Sequence, residues 1–341
     1  MRNRSIGAFA VAITLICTLG ACGNSNDSGS GAEDSTQSGG SSDLGTIRLG
    51  VGTSPPDLTC NQFYYALQNG FFEKRGLKVE IKPLADDQTA VRALQSGDVD
   101  VIWTGALAGM SAMQAGADMK VISATTPKLG FQLVGIKDIT EPKQIEGHKL
   151  GISAPGAVSA VTPIIMLQND GGDKDKVQVL PIGGSGARAA ALVAHKVDVA
   201  VLNQPYVSQL AKYPYLHVIA KAGEAIPNYI YAFEMTSAKT IKDRPKALKA
   251  FVDASIEADK WANENPDKAL EASHKVLPDS PVESLKLAIN DLSQSSYWST
   301  TGKVGQEQWD FTVNSLVENK LLPAKVDYAK YVDNQFTVGG S

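Results

Sequence analysis

Short apolar runs alternate with amphipathic stretches along most of the chain. Ile47 to Val51, Lys78 to Leu84 and Val99 to Trp103 have the length and composition of strands, and helical spacing lies between them, in Phe63 to Phe72 and around Val91 and Leu94. Asp86 or Asp87 is placed to cap the second of these helices, because an aspartate oxygen accepts from the free N–H groups of a first turn. The same succession then returns. A strand near Leu150 is followed by a helix from about Ser159 to Asn169, a strand from Val177 to Ile182, a helix from Ala187 to His195 and a strand from Val197 to Leu202. Strands and helices in alternation predict an α/β fold with parallel sheets and right-handed crossovers.

The return extends to the residues themselves. Leu49-Gly50-Val51 is answered by Leu150-Gly151-Ile152, Lys78 to Leu84 by Lys176 to Ile182, and Val99-Asp100-Val101 by Val197-Asp198-Val199, all in the same order. Two Rossmann-like lobes follow, with a cleft between them suited to a small ligand. Lys120 to Thr125 and Gln132 to Ile136, separated by Pro127 and Gly130, read as the first crossing between lobes, and Tyr229 to Met235 as the return. The expected boundaries are 46–127 plus 232–341 for the first lobe and 128–231 for the second. From Thr240 the pattern is helical: Leu248, Phe251, Val252, Ser255 and Ile256 share one face, with Asp243 as N-cap and Pro245 in the first turn. Further helices around Val282 to Leu292 and Gln306 to Asn319 are expected on the first lobe.

The front of the chain has a different character. Arg2 and Arg4 precede an apolar run from Ile6 to Ile16 and then Leu19-Gly20-Ala21-Cys22, the pattern of a signal peptide over 1–21. A Gly/Ser/Asp/Glu-rich stretch follows Cys22 and reads as a flexible tether, over 22–45 in all. The formal net charge is −4, more negative by two once both arginines leave with the signal, which disfavours nucleic acid as a partner. With Cys22 modified and Cys17 removed, Cys60 is the last thiol and no intrachain disulfide is expected.

Several stretches carry a family likeness. They are Phe63-Tyr64-Tyr65-Ala66 with Gly70 to Leu77, Ala93 to Asp100, Gly147 to Gly156, and Ala200-Val201-Leu202-Asn203-Gln204-Pro205. Residues 46 to about 335 resemble the solute-binding proteins of ABC importers in the nitrate/sulfonate/taurine and thiamine-precursor group, with a type II periplasmic-binding-protein fold. Leu19 to Cys22 resembles the bacterial lipoprotein box, which implies acylation of Cys22 and anchoring on the outer face of the cytoplasmic membrane. The resemblance further implies a small-molecule ligand, a permease and its ATPase subunit as partners, a monomer, and no cofactor. Its motifs point to the fold and not to a ligand; Cys60-Asn61-Gln62-Phe63 stands where many relatives carry Leu-Pro.

Ligands of open parallel sheets bind beyond the carboxyl ends of the strands, a rule that selects six loops here. In the first lobe these are Gly52 to Asn61, Ala85 to Gln88 and Thr104 to Leu107, with candidates Ser54, Asn61, Asp87, Trp103 and Thr104. In the second they are Ser153 to Ser159, Gly183 to Arg188 and Asn203 to Tyr206, with candidates Ser153, Gly156, Ala157, Ser185, Arg188, Asn203 and Tyr206. Helix N-termini after Ser153 and Gly184 suit an anion, and Arg188 is placed to grip a carboxylate or sulfonate with two N–H groups.

The first expectation is therefore a small organic anion: a sulfonate, a carboxylate or a nitrate-like ion. The alternative is a neutral heteroaromatic such as a thiamine-precursor pyrimidine, held by Trp103, Tyr206 and an acid such as Asp87. Gly184 to Ala189 also fits a dinucleotide fingerprint, but no acid ends the following strand to hold a ribose. Gly183 to Ala187 resembles a loose nucleophile elbow, which would make Ser185 a hydrolase nucleophile with His217 or His274 as base. The four histidines are scattered and Cys60 stands alone, so no metal site is expected. If Cys22 carries the anchor, Cys22→Ser yields soluble protein or stalled precursor in detergent-free fractionation; membrane retention equal to wild type refutes the anchor.

Overall fold

The computed structural model describes residues 43–54, 56–295 and 297–340. The signal peptide, Cys22 and most of the tether lie outside the described residues. Among the described residues, ten strands form two sheets of five: β1 Thr46–Val51, β2 Lys78–Pro83, β3 Val101–Gly105, β4 Lys120–Ser123, β5 Gln132–Ile136, β6 Lys149–Ile152, β7 Gln178–Pro181, β8 Val199–Leu202, β9 Leu216–Lys221 and β10 Ala232–Thr236. The strand orders are β2-β1-β3-β10-β4 and β7-β6-β8-β5-β9.

The internal repeat is a repeat of register as well as of sequence. Leu49 pairs with Ile81 and Val101 in the first sheet, and the corresponding Leu150 pairs with Val179 and Val199 in the second. Even the polar detail recurs: Asp100 accepts from the backbone N–H of Arg48 at 2.8 Å, and Asp198 from that of Lys149 at 2.9 Å. An aspartate before the third strand of each lobe thus pins the start of its first strand.

Neither sheet is wholly parallel, which corrects the sequence expectation. β10 is antiparallel to both β3 and β4, and β5 to both β8 and β9. The cause is the double crossing. The other strands of each sheet end at the cleft, whereas β5 arrives from the first lobe and β10 from the second. Each therefore begins at the cleft, Gln132 beside Leu202 and Ala232 beside Gly105, and runs away from it.

Boundaries moved by about two residues in places. The third strand begins at Val101 because Asp100 is held by Arg48, and the helix expected from Ala187 starts at Ser185. Asp243 is not an N-cap: it closes the helix Ala238–Asp243, which Ser237 caps, and Arg244 leads into Pro245–Glu264. The five residues named on one face of that long helix are all buried, and Phe251 lies between Phe63 and Phe72 with ring centroids 5.8 and 5.7 Å away, so the helix belongs to the first lobe. The helix Val282–Gln294 does not pack on that lobe alone. It rests on Pro266–Val276 and also on Tyr206–Leu210 of the second lobe.

The first-lobe interior holds two acids. Glu234 accepts from Ser123 Oγ at 2.7 Å and from the N–H of Thr125 at 3.0 Å, which ties the returning strand to the outgoing crossing. Asp259 is fully buried and, among the described residues, has no hydrogen-bond partner on either oxygen. Burial pushes its carboxyl well above the ordinary range, and Glu234 adds to the shift. A carboxyl raised in this way takes up its proton on folding, so stability falls as pH rises from the ordinary carboxylate range through the raised one. The melting midpoint is therefore expected to rise on going from neutral to mildly acidic pH. Asp259→Asn should flatten that slope and raise the midpoint at neutral pH by roughly 2–4 °C, as read by calorimetry at several pH values; an unchanged slope removes Asp259 as its source.

Candidate functional site

The loops at the cleft ends of both sheets wall a single cavity of about 400 Å³. All six loops selected from sequence contribute to it. Of the twelve candidates, Ser54, Asp87, Trp103, Ser153, Gly156, Ala157, Ser185, Arg188 and Asn203 line it; Asn61, Thr104 and Tyr206 do not. Asn61 is buried beneath, donating to Ser273 Oγ at 3.0 Å and to Tyr65 at 3.4 Å. Thr104 acts at one remove, donating to Asp87 Oδ1 at 3.1 Å. Tyr206 packs against Gly186, where a Cβ would lie 3.1 Å from its ring.

Sequence reading missed Asp57, Thr59, Phe131 and Tyr231 as lining residues. Phe131 and Tyr231 immediately precede β5 and β10. A search confined to the carboxyl ends of strands passes over them, because antiparallel strands present their amino ends to the cleft. Tyr231 meets Trp103 edge-on at 5.5 Å and Phe131 at 5.2 Å, so the three rings form one aromatic wall. Trp103 is further fixed by its indole N–H donating to Thr126 Oγ1 at 2.9 Å.

Three carboxylates and one arginine face this space. Asp87 opens the helix Asp87–Ser96, which Asp86 caps, and its Oδ1 accepts from the Gly105 N–H at 2.9 Å as well as from Thr104. Glycine makes room for it twice: a Cβ on Gly52 would lie 2.5 Å from Oδ1, and one on Gly105 would lie 2.9 Å from Oδ2. Among the described residues nothing hydrogen-bonds Oδ2. Burial raises the Asp87 carboxyl above its ordinary value, against the pull of Gly105 and Thr104.

Asp57 is bound on both oxygens. Oδ1 accepts from the Thr59 N–H at 2.9 Å and from its hydroxyl, and Oδ2 accepts from Asn203 Nδ2 at 3.2 Å, a bond that crosses from one lobe to the other. Burial raises this carboxyl too, while Thr59, Asn203 and the nearby Arg188 charge oppose the rise.

The sequence expectation placed Arg188 as a two-pronged grip on an anion. Its guanidinium is instead largely engaged by the protein: Nε donates to the Val201 carbonyl at 2.7 Å, one terminal nitrogen to the Gly183 carbonyl, and the other to Ser185 Oγ at 2.8 Å. Burial brings it down to about 10, with Asp57 resisting. Ser185 Oγ accepts from Arg188 and from the Asn203 N–H at 3.3 Å. Neither His217 nor His274, the bases named for the hydrolase reading, lines the cavity with Ser185. Cys60 is buried beside Asp57, with Sγ 3.7 Å from its carbonyl, and does not line the cavity.

The NMT1/THI5-like family matches residues 59–269, more than half of the chain. The chain belongs to the NMT1/THI5-like family. Among curated relatives, the formylaminopyrimidine-binding protein of Halalkalibacterium halodurans is 22% identical over 300 residues, covering 80% of this chain and 84% of that protein. The riboflavin-binding protein RibY of Chloroflexus aurantiacus is 23% identical over 301 residues, covering 84% of each. Among solved structures, the periplasmic aliphatic sulphonate binding protein SsuA of Escherichia coli superposes with a TM-score of 0.70 at 19% identity, over 84% of this chain and 96% of that one. The fold is that of the periplasmic solute-binding proteins of ABC importers.

Within this NMT1/THI5-like chain, Gly105 is a point of close approach between the lobes at the cavity. A Cβ there would lie 2.7 Å from Val158 Cγ2, at the start of the second-lobe helix Val158–Asn169, in addition to its conflict with Asp87. Gly105→Ala should displace Asp87 or hold the lobes apart. Overpacking of this kind costs about 1–3 kcal/mol, so affinity for a solute found by thermal-shift screening should drop roughly 5- to 150-fold in calorimetric titration. Wild-type affinity would mean that this contact is not closed in the complex.

Proposed function

We propose that this chain is the extracytoplasmic solute-binding component of an ABC importer, anchored through Cys22. Its two lobes, 46–127 plus 232–341 and 128–231, close on a small planar solute and present it to a permease driven by a separate ATPase subunit. The solute is a neutral or cationic nitrogen heterocycle, or a molecule with comparable N–H donors. This departs from the organic anion expected first and takes up the alternative.

One observation carries that choice: Asp87 lies among the lining residues with Oδ2 hydrogen-bonded by no described residue, while Arg188 is engaged by Val201, Gly183 and Ser185. Asp57 offsets Arg188, which leaves the cavity in excess of acceptors and negative charge. A ring with N–H groups satisfies Asp87; an anion would lie against it. The aromatic wall of Trp103, Phe131 and Tyr231 suits contact with a ring. The names of the pyrimidine- and riboflavin-binding relatives agree with a nitrogen heterocycle, and that of the sulphonate-binding neighbour does not.

The test is a thermal-shift screen against pooled nitrogen heterocycles and pooled organic acids, since a ligand at about 100 times its dissociation constant adds roughly 2.7 kcal/mol of stability. A heterocycle is expected to register. Calorimetry with it should show Asp87→Asn weakened roughly tenfold or more, the loss of a charge-assisted hydrogen bond worth about 1.5–3 kcal/mol. A shift from organic acids alone, with affinity unchanged in Asp87→Asn and reduced in Arg188→Lys, would restore the anion reading.

A further inference from the structure

The helix Val282–Gln294 belongs to the C-terminal part of the chain, yet its last turn reaches the second lobe. Asp291 Oδ2 accepts from Gln132 Nε2 at 2.8 Å and from Gln204 Nε2 at 3.3 Å, and Oδ1 accepts from Lys221 Nζ at 3.0 Å. These three donors come from different strand ends of the second sheet. Gln132 opens β5, Lys221 closes β9 directly opposite it, and Gln204 follows β8. One carboxylate thus gathers the cleft edge of three strands.

The helix is also held by the first lobe, through Pro266–Val276 and from there Asn61–Gln68. Just beyond the helix, Tyr297 donates to the Thr59 carbonyl at 3.3 Å, and its ring lies 6.4 Å from that of Tyr231. Thr59 and Tyr231 both line the cavity. The chain from Asp291 to Tyr297 therefore touches the second lobe at one end and the first-lobe wall of the cavity at the other.

We propose that Asp291 is a latch that holds the second lobe in its closed position, so that solute affinity is set partly by a residue outside the cavity. The proposal rests on the two-lobe capture described above but not on the class of solute. Asp291 and Lys221 are 27% and 44% exposed, so their ion pair alone contributes little. Most of the hold comes from the two amides on a partly shielded carboxylate. Because these bonds bridge the lobes, opening breaks them, and they add to the closed state only. Asp291 is in this sense a positioning residue for the cavity.

The test needs no solute. Spin labels on cysteines introduced at Gln95 in the first lobe and Lys143 in the second report the interlobe distance by pulsed dipolar spectroscopy; both sites are exposed, and buried Cys60 does not compete. Wild type is expected to give mainly one distance. In Asp291→Ala a second, altered distance should grow roughly tenfold in population, with Asp291→Asn between the two and Lys221→Ala close to wild type. If Asp291→Ala fails to fold, the paired Gln132→Leu and Gln204→Leu variant removes the same contact from the other side and should shift the distribution likewise. A wild-type distribution in either folded variant overturns the latch. Affinity unchanged in Asp87→Asn would sink the ligand class and leave this result standing.

Discussion

The chain crosses between two sheets twice, and each sheet completes itself with a strand that has just left the other. That constraint fixes the polarity of β5 and β10, since a strand entering from the cleft can only run away from it. It also brings the carboxyl ends of the remaining strands and the amino ends of these two to one gap. The cavity is the consequence: its polar groups stand on loops after parallel strands, and Phe131 and Tyr231 stand just before the antiparallel ones. Moving either crossing strand to another place in its sheet would remove an aromatic wall and a lobe connection together.

Charge inside this gap is organised by what each group is bound to, more than by how many groups there are. Arg188 spends its fork on two carbonyls and a serine, and Asp57 is bonded on both oxygens. Asp87 keeps an oxygen that no described residue hydrogen-bonds, in a recess that Gly52 and Gly105 leave open for it. Those glycines are conventional residues for close backbone approach, and here the thing approached is a carboxylate of the same lobe. Asp87 is thereby held at the mouths of β1 and β3 with its orientation set by the Gly105 N–H.

Beside apolar packing such as Gly105 against Val158, polar contacts join the lobes at two places. Asn203 to Asp57 lies at the cavity and Asp291 to Gln132, Gln204 and Lys221 lies outside it. Polar contacts of this kind add about 0.5–1.5 kcal/mol each, because each donor and acceptor regains water when the lobes part.

The α/β class and the doubling were legible in the chain, because strand burial and helix amphipathicity are local patterns and a duplicated pattern repeats its local physics. Leu49 and Leu150 find equivalent partners for that reason. The six loops followed from the same alternation, and nine of twelve chosen residues reached the cavity. Direction and commitment were decided only by tertiary structure. Whether a strand runs parallel depends on where the chain arrives from, so the roles of Phe131 and Tyr231 were hidden. Whether Arg188 or Asp87 is free depends on neighbours far away in sequence, Val201 for the one and Gly105 for the other. No spacing rule announces that Asp291 will meet Gln132, because that bond exists only when two lobes, folded separately in sequence, come together in space.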